Sequence, residues 1–449
     1  MIAADPYLVV RASSIYVTAL LTIAAWLWHG KGSGARPLIA GSLLAFAWNL
    51  PVLLLVNVAA QRFGWWRFDA KGGLLLGVPV DFLLAWIWLW SVVPLLAFEA
   101  LAIGAIAMVA LAFDFILMPA AAPVLRLGPL WLVGEVVALA AGLVPGLLLA
   151  RMTMRDKRLP ERAVLQVIAF SGMTLYVLPA IIIEATGAGW TRLFERPTWQ
   201  ICVIMQGLAI PAIIGLSAVQ EFVTRGAGTP VPYDPPKRIV TTGLYAYVRN
   251  PMQLSAVLLL CLLGLALQNV WLAGAGIMAH IYSVGLAGWD EDDDLNQRFG
   301  SAWTTYRRGV RAWWPRVRPW RPDGRDDLLY VAESCGMCSD VGRWFQHRGV
   351  HGLEIVAAEH HPSRALTRIT YESSDGAYTA SGIEAVARAL EHVHIGWALI
   401  ACVLRLPVVR PLTQIIVDAS GGEPRRIAQR PVISDPSVAP RPVIHSTDL

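Results

Sequence analysis

Charge is scarce in this chain. Only 15% of its 449 residues are Asp, Glu, Lys or Arg, against 56% hydrophobic, and the mean hydropathy is +0.52. A soluble globular protein carries about 25% charged residues, so this composition excludes a wholly soluble protein. The net charge of +5 sits in loops and in the part after Asp290. No folded basic module with stacking aromatics gathers it, which argues against a nucleic-acid partner. Cysteine is also sparse: of five, Cys202 and Cys261 fall inside apolar runs, which leaves too few for a disulfide framework. The N-terminus lacks the short basic start and small-residue cleavage site of a signal peptide, so the first apolar run is expected to remain as a span. No internal repeat is apparent.

What fills the chain instead is a series of apolar runs long enough for lipid: Leu8 to Trp28, Leu38 to Ala60, Leu74 to Pro94, Leu95 to Met118, Leu130 to Ala150, Val164 to Thr186 and Trp199 to Phe222. A further pair, Met252 to Leu267 and Val270 to Trp289, joined by Gln268-Asn269, reads as a helical hairpin and brings the expected count to about nine. The densest basic loop, "RMTMRDKRLPER", and the loop with Arg225, Lys237, Arg238 and Arg249 should face the cytoplasm. That puts the N-terminus outside and the C-terminus inside, although the loop Gln61 to Lys71, with Arg62, Arg67 and Lys71, then falls outside. Asp81, Glu99, Asp114, Glu135 and Glu184 lie at membrane depth, where a charge is costly and suggests a polar cavity or proton path, or else a hydrogen-bonded packing role. No basic residue stands mid-span to pair with them. His280 reads as a packing histidine.

One stretch gathers most of the chemistry. "TTGLYAYVRNPMQL" carries Gly243, Tyr245, Tyr247, Arg249, Asn250 and Pro251. Pro251 bars Asn250 from helical geometry and suits a first helical turn, so Arg249 and Asn250 should project from a helix N-terminus, an anion-binding position. After the hairpin comes "WDEDDDLNQRFGSAWTTYRRGVRAWWP", whose acids Asp290 to Asp294 return towards Arg249. Leu295 and Phe299 mark the apolar stripe of that helix, with Glu291 and Asp292 at its two edges; periodicity does not choose between them.

The ordered series Gly-x-Tyr-x-Tyr-x-Arg-Asn-Pro-Met, then Glu291, Leu295, Phe299-Gly300, Tyr306, Val310 and Pro315, resembles the isoprenylcysteine carboxyl methyltransferase and phospholipid methyltransferase superfamily over roughly residues 220 to 316. The resemblance implies an integral-membrane enzyme that uses S-adenosylmethionine. It assigns Gly243, Tyr245, Tyr247, Arg249, Asn250 and Pro251 to one wall of the cofactor site and Glu291 to the other, with Arg249 and Glu291 as the catalytic pair. Asn250 replaces the more usual His, Gln253 falls where Tyr is common, and Trp303 replaces a Tyr. The cofactor's carboxylate, ammonium and sulfonium call for a guanidinium, a carboxylate and aromatic faces, which Arg249, Glu291 and Tyr245 or Tyr247 supply. The implied partner is a lipid-soluble methyl acceptor, bearing a carboxylate, amine or thiol, that enters from the bilayer.

Beyond the basic, Trp-rich strip "RGVRAWWPRVRPWRPDGRDD", expected to lie at lipid headgroups and then act as a linker, the chain changes character. "DDLLYVAESCGMCSDVGRWFQHRG" reads as a strand, a Cys-x-x-Cys turn and a helix, with "GLEIVAAE" as a second strand. Cys335 would start the helix as a dipole-activated nucleophile, and Cys338, one turn on, would resolve it. The region Leu328 to Ala428 resembles the DCC-type thiol-disulfide oxidoreductases, but Tyr330-Val331-Ala332-Glu333-Ser334 departs from that family's usual lead. A zinc reading would need His360 and His361 as further ligands, and no metal is expected. Trp397 to Val417, with Arg405, Arg410 and two prolines, reads as soluble helix and loop rather than a span.

The expected architecture is therefore an α-helical polytopic membrane protein with a C-terminal soluble α/β thioredoxin-like domain: residues 1–150 N-terminal helices, 151–316 methyltransferase-like, 317–327 linker, 328–428 thioredoxin-like, 429–449 a disordered tail. The expected place is the cell inner membrane with the C-terminal domain cytoplasmic and open to a thiol partner. Rival readings are a membrane oxidoreductase working through Cys335 and Cys338, and a transporter working through the intramembrane carboxylates. On the leading reading the two halves are separable, and a chain ending near Asp323 keeps its activity.

Overall fold

The computed structural model describes residues 5–29, 35–229, 236–322, 324 and 326–429, with the backbone alone at positions 29, 35 and 286–291. Its contacts divide into two units, one of Met1–Thr242 with Asn250–Thr304, the other of Gly243–Arg249 with Thr305–Leu449.

The first unit is helical. Among the described residues seven helices are long and apolar enough to cross a bilayer: α1 (Pro6–Trp28), α2 (Arg36–Phe63), α3 (Val80–Ala97), α4 (Ile103–Ala120), α5 (Trp131–Met154), α6 (Leu159–Thr186) and α7 (Thr198–Gly226). The chain is an integral membrane protein on that ground. Two shorter apolar helices, α8 (Pro251–Ala266) and α9 (Val270–Tyr282), form the expected hairpin, and Asn269 caps α9 by accepting from the N–H groups of Trp271 and Leu272. Their backbones meet closely: a Cβ on Gly264 would lie 2.3 Å from the Ala273 nitrogen. The chain continues into α10 (Gly288–Phe299).

The third passage begins later than its apolar run suggests. Leu74–Leu75 and Val78–Pro79 pair as a minimal hairpin whose two turn residues, Leu76 and Gly77, both have positive φ, the geometry of a tight two-residue turn. The chain also breaks between Ala97 and Ile103 rather than at Pro94. A second ribbon, Trp66–Phe68 against Leu125–Leu127, closes the same end of the unit, where Arg126 pairs with Asp69. At the opposite end Asp156 binds Lys237 (2.6 Å) and Arg162 (3.1 Å), so the two most basic loops share one side. Arg298, at the end of α10, bonds the Pro236 carbonyl there. The core packs Trp66, Trp90, Leu53 and Leu147, and pairs some of its polar groups internally: the Trp66 indole donates to Asn57 (2.9 Å) and Asn49 to Ser91 (3.0 Å).

Asp81 has a basic partner after all. Arg11, one turn into α1, grips both its oxygens at 2.6 and 2.8 Å, correcting the expectation that no cation reaches the membrane carboxylates. Glu184 accepts from the Leu76 N–H.

The second unit holds a four-stranded sheet in the order β2-β1-β3-β4, with β1 (Asp327–Val331), β2 (Leu353–Ala357), β3 (Thr370–Glu372) and β4 (Thr379–Ser381). β1 and β2 are parallel, joined by helix α11 (Gly336–Arg348), while β3 runs antiparallel to β1 and β4 antiparallel to β3. Helices α12 (Ile383–Leu390) and α13 (Ile395–Leu404) cover it, around Leu329, Phe345, Tyr371 and Ala401. After α13 the chain turns by 92° into Val409–Gly422, so the apolar run from Trp397 is bent helix. The strip expected to be a linker is tied in: the Trp320 N–H donates to the Ala246 carbonyl, the Ile395 N–H to the Val317 carbonyl, and Arg321 pairs with Asp327 (3.0 Å) and His392.

Candidate functional site

Gly243 has φ +59, a backbone conformation that L side chains rarely adopt, and opens a tight turn over Gly243–Ala246. That turn feeds its carbonyls to the following segment. Tyr245 accepts from the Tyr306 hydroxyl (2.8 Å), Ala246 from Trp320 (2.8 Å) and Tyr247 from the Arg316 N–H (2.9 Å), while the Arg249 N–H reaches the Arg311 carbonyl (3.0 Å). Tyr245 and Tyr247 are buried. The Tyr247 hydroxyl donates to the Glu391 carbonyl at 2.9 Å, and burial pushes its own titration upward. Glu391 is held in turn, its carboxylate between Arg405 (2.7 Å) and Arg388 (3.2 Å).

So Gly243, Tyr245, Tyr247 and Arg249 belong to the unit that carries the sheet, tied to the elements before and after β1. A cut near residue 323 would remove the Glu391 carbonyl that takes the Tyr247 hydroxyl, while the ties to Tyr306, Arg311, Arg316 and Trp320 lie before it. Asn250 and Pro251 belong to the first unit: Asn250, at φ −118 and ψ 57, is the non-helical residue before α8, and Pro251 is its first helical residue. Glu291 lies on α10 of the first unit, with its side chain outside the described residues; in sequence it stands between Asp290 and Asp292.

The second candidate group is the Cys-x-x-Cys pair. Cys335 is the extended residue before α11 and Cys338 lies in its first turn; both are free thiols, half-buried. A hydrogen bond from Cys338 favours the Cys335 thiolate and holds it below the ordinary thiol range, with help from Arg425. Burial, together with the neighbouring Cys335 sulfur, pushes Cys338 up to about 12. The loop entering the helix is fixed by Glu359, which accepts from the Ser334 N–H (3.0 Å), the Ser334 hydroxyl (2.8 Å) and the Glu333 N–H (3.2 Å). Sequence reading missed Glu359, as it missed Arg11 and Glu391; a single acid after a strand carries no local signal of what it will hold. His361 packs on Tyr330 and bonds Glu372 (3.3 Å), and among the described residues no group of three metal-ligating side chains occurs.

None of the protein-family models, curated proteins or solved structures compared with this chain matches it.

Proposed function

We propose that this protein is an integral-membrane methyltransferase that moves a methyl group from S-adenosylmethionine to a lipid-soluble acceptor. The observation that carries the reading is the ordered series beginning at Gly243: a turn whose first residue is at positive φ, then Arg249, then Asn250-Pro251 opening an apolar hairpin that leads into an acidic helix. The donor set suits the cofactor. Arg249 offers a fork for a carboxylate, Glu291 a counter-ion for an ammonium, and Tyr245 an aromatic wall for a sulfonium. When bound, the cofactor supplies a methyl group already activated on sulfur. The chain's own residues hold and orient it and keep water out, which is where positioning contributes most to an in-line displacement. Counting α8 and α9 as short passages gives nine. The side shared by the basic loops is then cytoplasmic and the N-terminus outside, in the cell inner membrane.

For the second unit we propose a thioredoxin-like, cytoplasmic dithiol module that exchanges with a thiol partner. It is supported by the strand order, by the helix between parallel β1 and β2, and by a Cys335 favoured as thiolate beside a protonated Cys338.

Titration calorimetry with S-adenosylmethionine tests the first reading. Arg249→Lys, which keeps the charge and loses the fork, is expected to weaken binding at least about ten-fold, the cost of losing one charged hydrogen bond. Glu291→Gln is expected to act likewise and Asp293→Asn to leave affinity unchanged. Wild-type affinity in Arg249→Lys would remove the assignment; equal losses from both acid variants would make the acidic helix a diffuse field.

A further inference from the structure

Far along the chain from the Gly243 series, the first unit encloses a cavity of about 290 Å³ between α1, α3 and α4. Its wall is mostly aromatic and aliphatic: Phe68, Phe82, Trp86 and Phe113 face it, with Ser14 and Thr18 of α1 opposite. Both hydroxyls donate to carbonyls of their own helix, at 2.8 and 2.7 Å, which leaves their oxygen lone pairs to accept. Asp114 also stands on this wall, 6% exposed. Behind it lies Glu135, fully buried on α5, with the Trp90 indole beside the pair.

The polar groups here are unfinished. Asp114 Oδ2, both Glu135 oxygens and the Trp86 indole N–H are shut away from water without a hydrogen-bond partner. A buried polar group left so costs about 1–3 kcal/mol, and more if charged, so a folded protein keeps one where something else completes it. Arg11, the cation on α1, is already committed to Asp81. The cavity therefore presents the buried, unpartnered Asp114 oxygen within a ring of aromatic faces.

We propose that this cavity is a binding site for a single-chain lipophilic amine, bound as its ammonium. The head pairs with Asp114, donates its remaining N–H bonds to the Ser14 and Thr18 oxygens, and lies against the faces of Trp86 and Phe113. Its hydrocarbon chain continues along the apolar wall towards lipid. Asp114 and the aromatics choose ammonium over a neutral head. Glu135 lies behind Asp114 and does not line the cavity. The inference rests on the first unit alone and is independent of the methyltransferase reading.

The test is equilibrium binding of radiolabelled tetradecylamine and tetradecanol to the full-length protein in neutral-lipid nanodiscs, with empty nanodiscs subtracted. The expected result is saturable binding of the amine at least ten-fold tighter than of the alcohol, loss of that preference in Asp114→Asn, and its retention in Glu135→Gln. Ser14→Phe, on the partly exposed face of α1, fills the cavity without touching the acid pair and should abolish saturable binding of both probes. Equal binding of amine and alcohol to the wild type, an undiminished preference in Asp114→Asn, or wild-type amine binding in Ser14→Phe would each overturn the proposal. Should Asp114→Asn fail to fold, the Ser14→Phe and alcohol comparisons decide it.

Discussion

At the scale of single residues, local pattern named the groups and distance in the chain concealed their partners. Cys335 and Cys338 are legible because a Cys-x-x-Cys after a strand places one sulfur before a helix and the other in its first turn, and the structure places them so. Arg11 and Asp81 are 70 positions apart, Tyr247 and Glu391 are 144 apart, and no periodicity links them. The cysteine pair yields a prediction with a sign. The hydrogen bond from Cys338 stabilises the charged form of Cys335, so Cys335 becomes thiolate at a lower pH than an ordinary thiol, whereas Cys338 stays protonated until about pH 12. Cys338→Ala removes the donor, and the midpoint for Cys335 should move upward towards the ordinary value of about 8.5. The rate of iodoacetamide labelling against pH, followed by mass spectrometry of the Cys335 peptide, reads this directly. An unmoved midpoint would mean that the helix N-terminus and Arg425 hold the thiolate without Cys338.

At the scale of elements, the apolar runs were legible because lipid demands long uninterrupted stretches, and seven of them form helices of spanning length. Where they start and stop was less legible. The run from Leu74 begins with a tight turn that needs positive φ at Leu76 and Gly77, and hydropathy is blind to backbone sign. The hairpin was foreseen from Gln268-Asn269, but its closeness depends on a glycine that the apolar pattern does not single out. A side chain at Gly264 meets the Ala273 backbone, which cannot swing aside as a flexible side chain would. Gly264→Val is therefore expected to lower stability by more than about 2 kcal/mol through overpacking, against almost nothing for Gly274→Ala, where open space surrounds the Cβ. Thermal unfolding of the two variants in the same detergent compares them. Equal transition temperatures would show that α8 and α9 do not depend on this contact.

At the scale of the whole molecule, the boundary drawn by composition and the boundary drawn by contacts differ. Composition divides the chain where charge rises, near residue 316. Contacts instead assign the short segment Gly243–Arg249 to the unit that holds the sheet, where the carbonyls of Tyr245, Ala246 and Tyr247 and the Tyr247 hydroxyl are taken up by residues from Tyr306 to Glu391. A chain ending after Pro322 loses the Glu391 carbonyl and so leaves the buried Tyr247 hydroxyl without its partner, a loss of about 1–3 kcal/mol concentrated on the turn that presents Arg249. His392, which braces Arg321 at 2.6 Å, goes with it. Binding of S-adenosylmethionine should accordingly fall at least ten-fold in the shortened protein. Cys335→Ser/Cys338→Ser, which leaves Glu391, Arg388 and Arg405 in place, should bind as the wild type does. The two proteins, purified alongside the wild type and compared by calorimetry, separate the two things the C-terminal unit could contribute. Loss in the double-serine protein as well as in the shortened one would make the thiols, and not the Glu391 contact alone, part of what the C-terminal unit contributes. Full binding by the shortened protein would mean that the Gly243 turn holds its shape without the sheet.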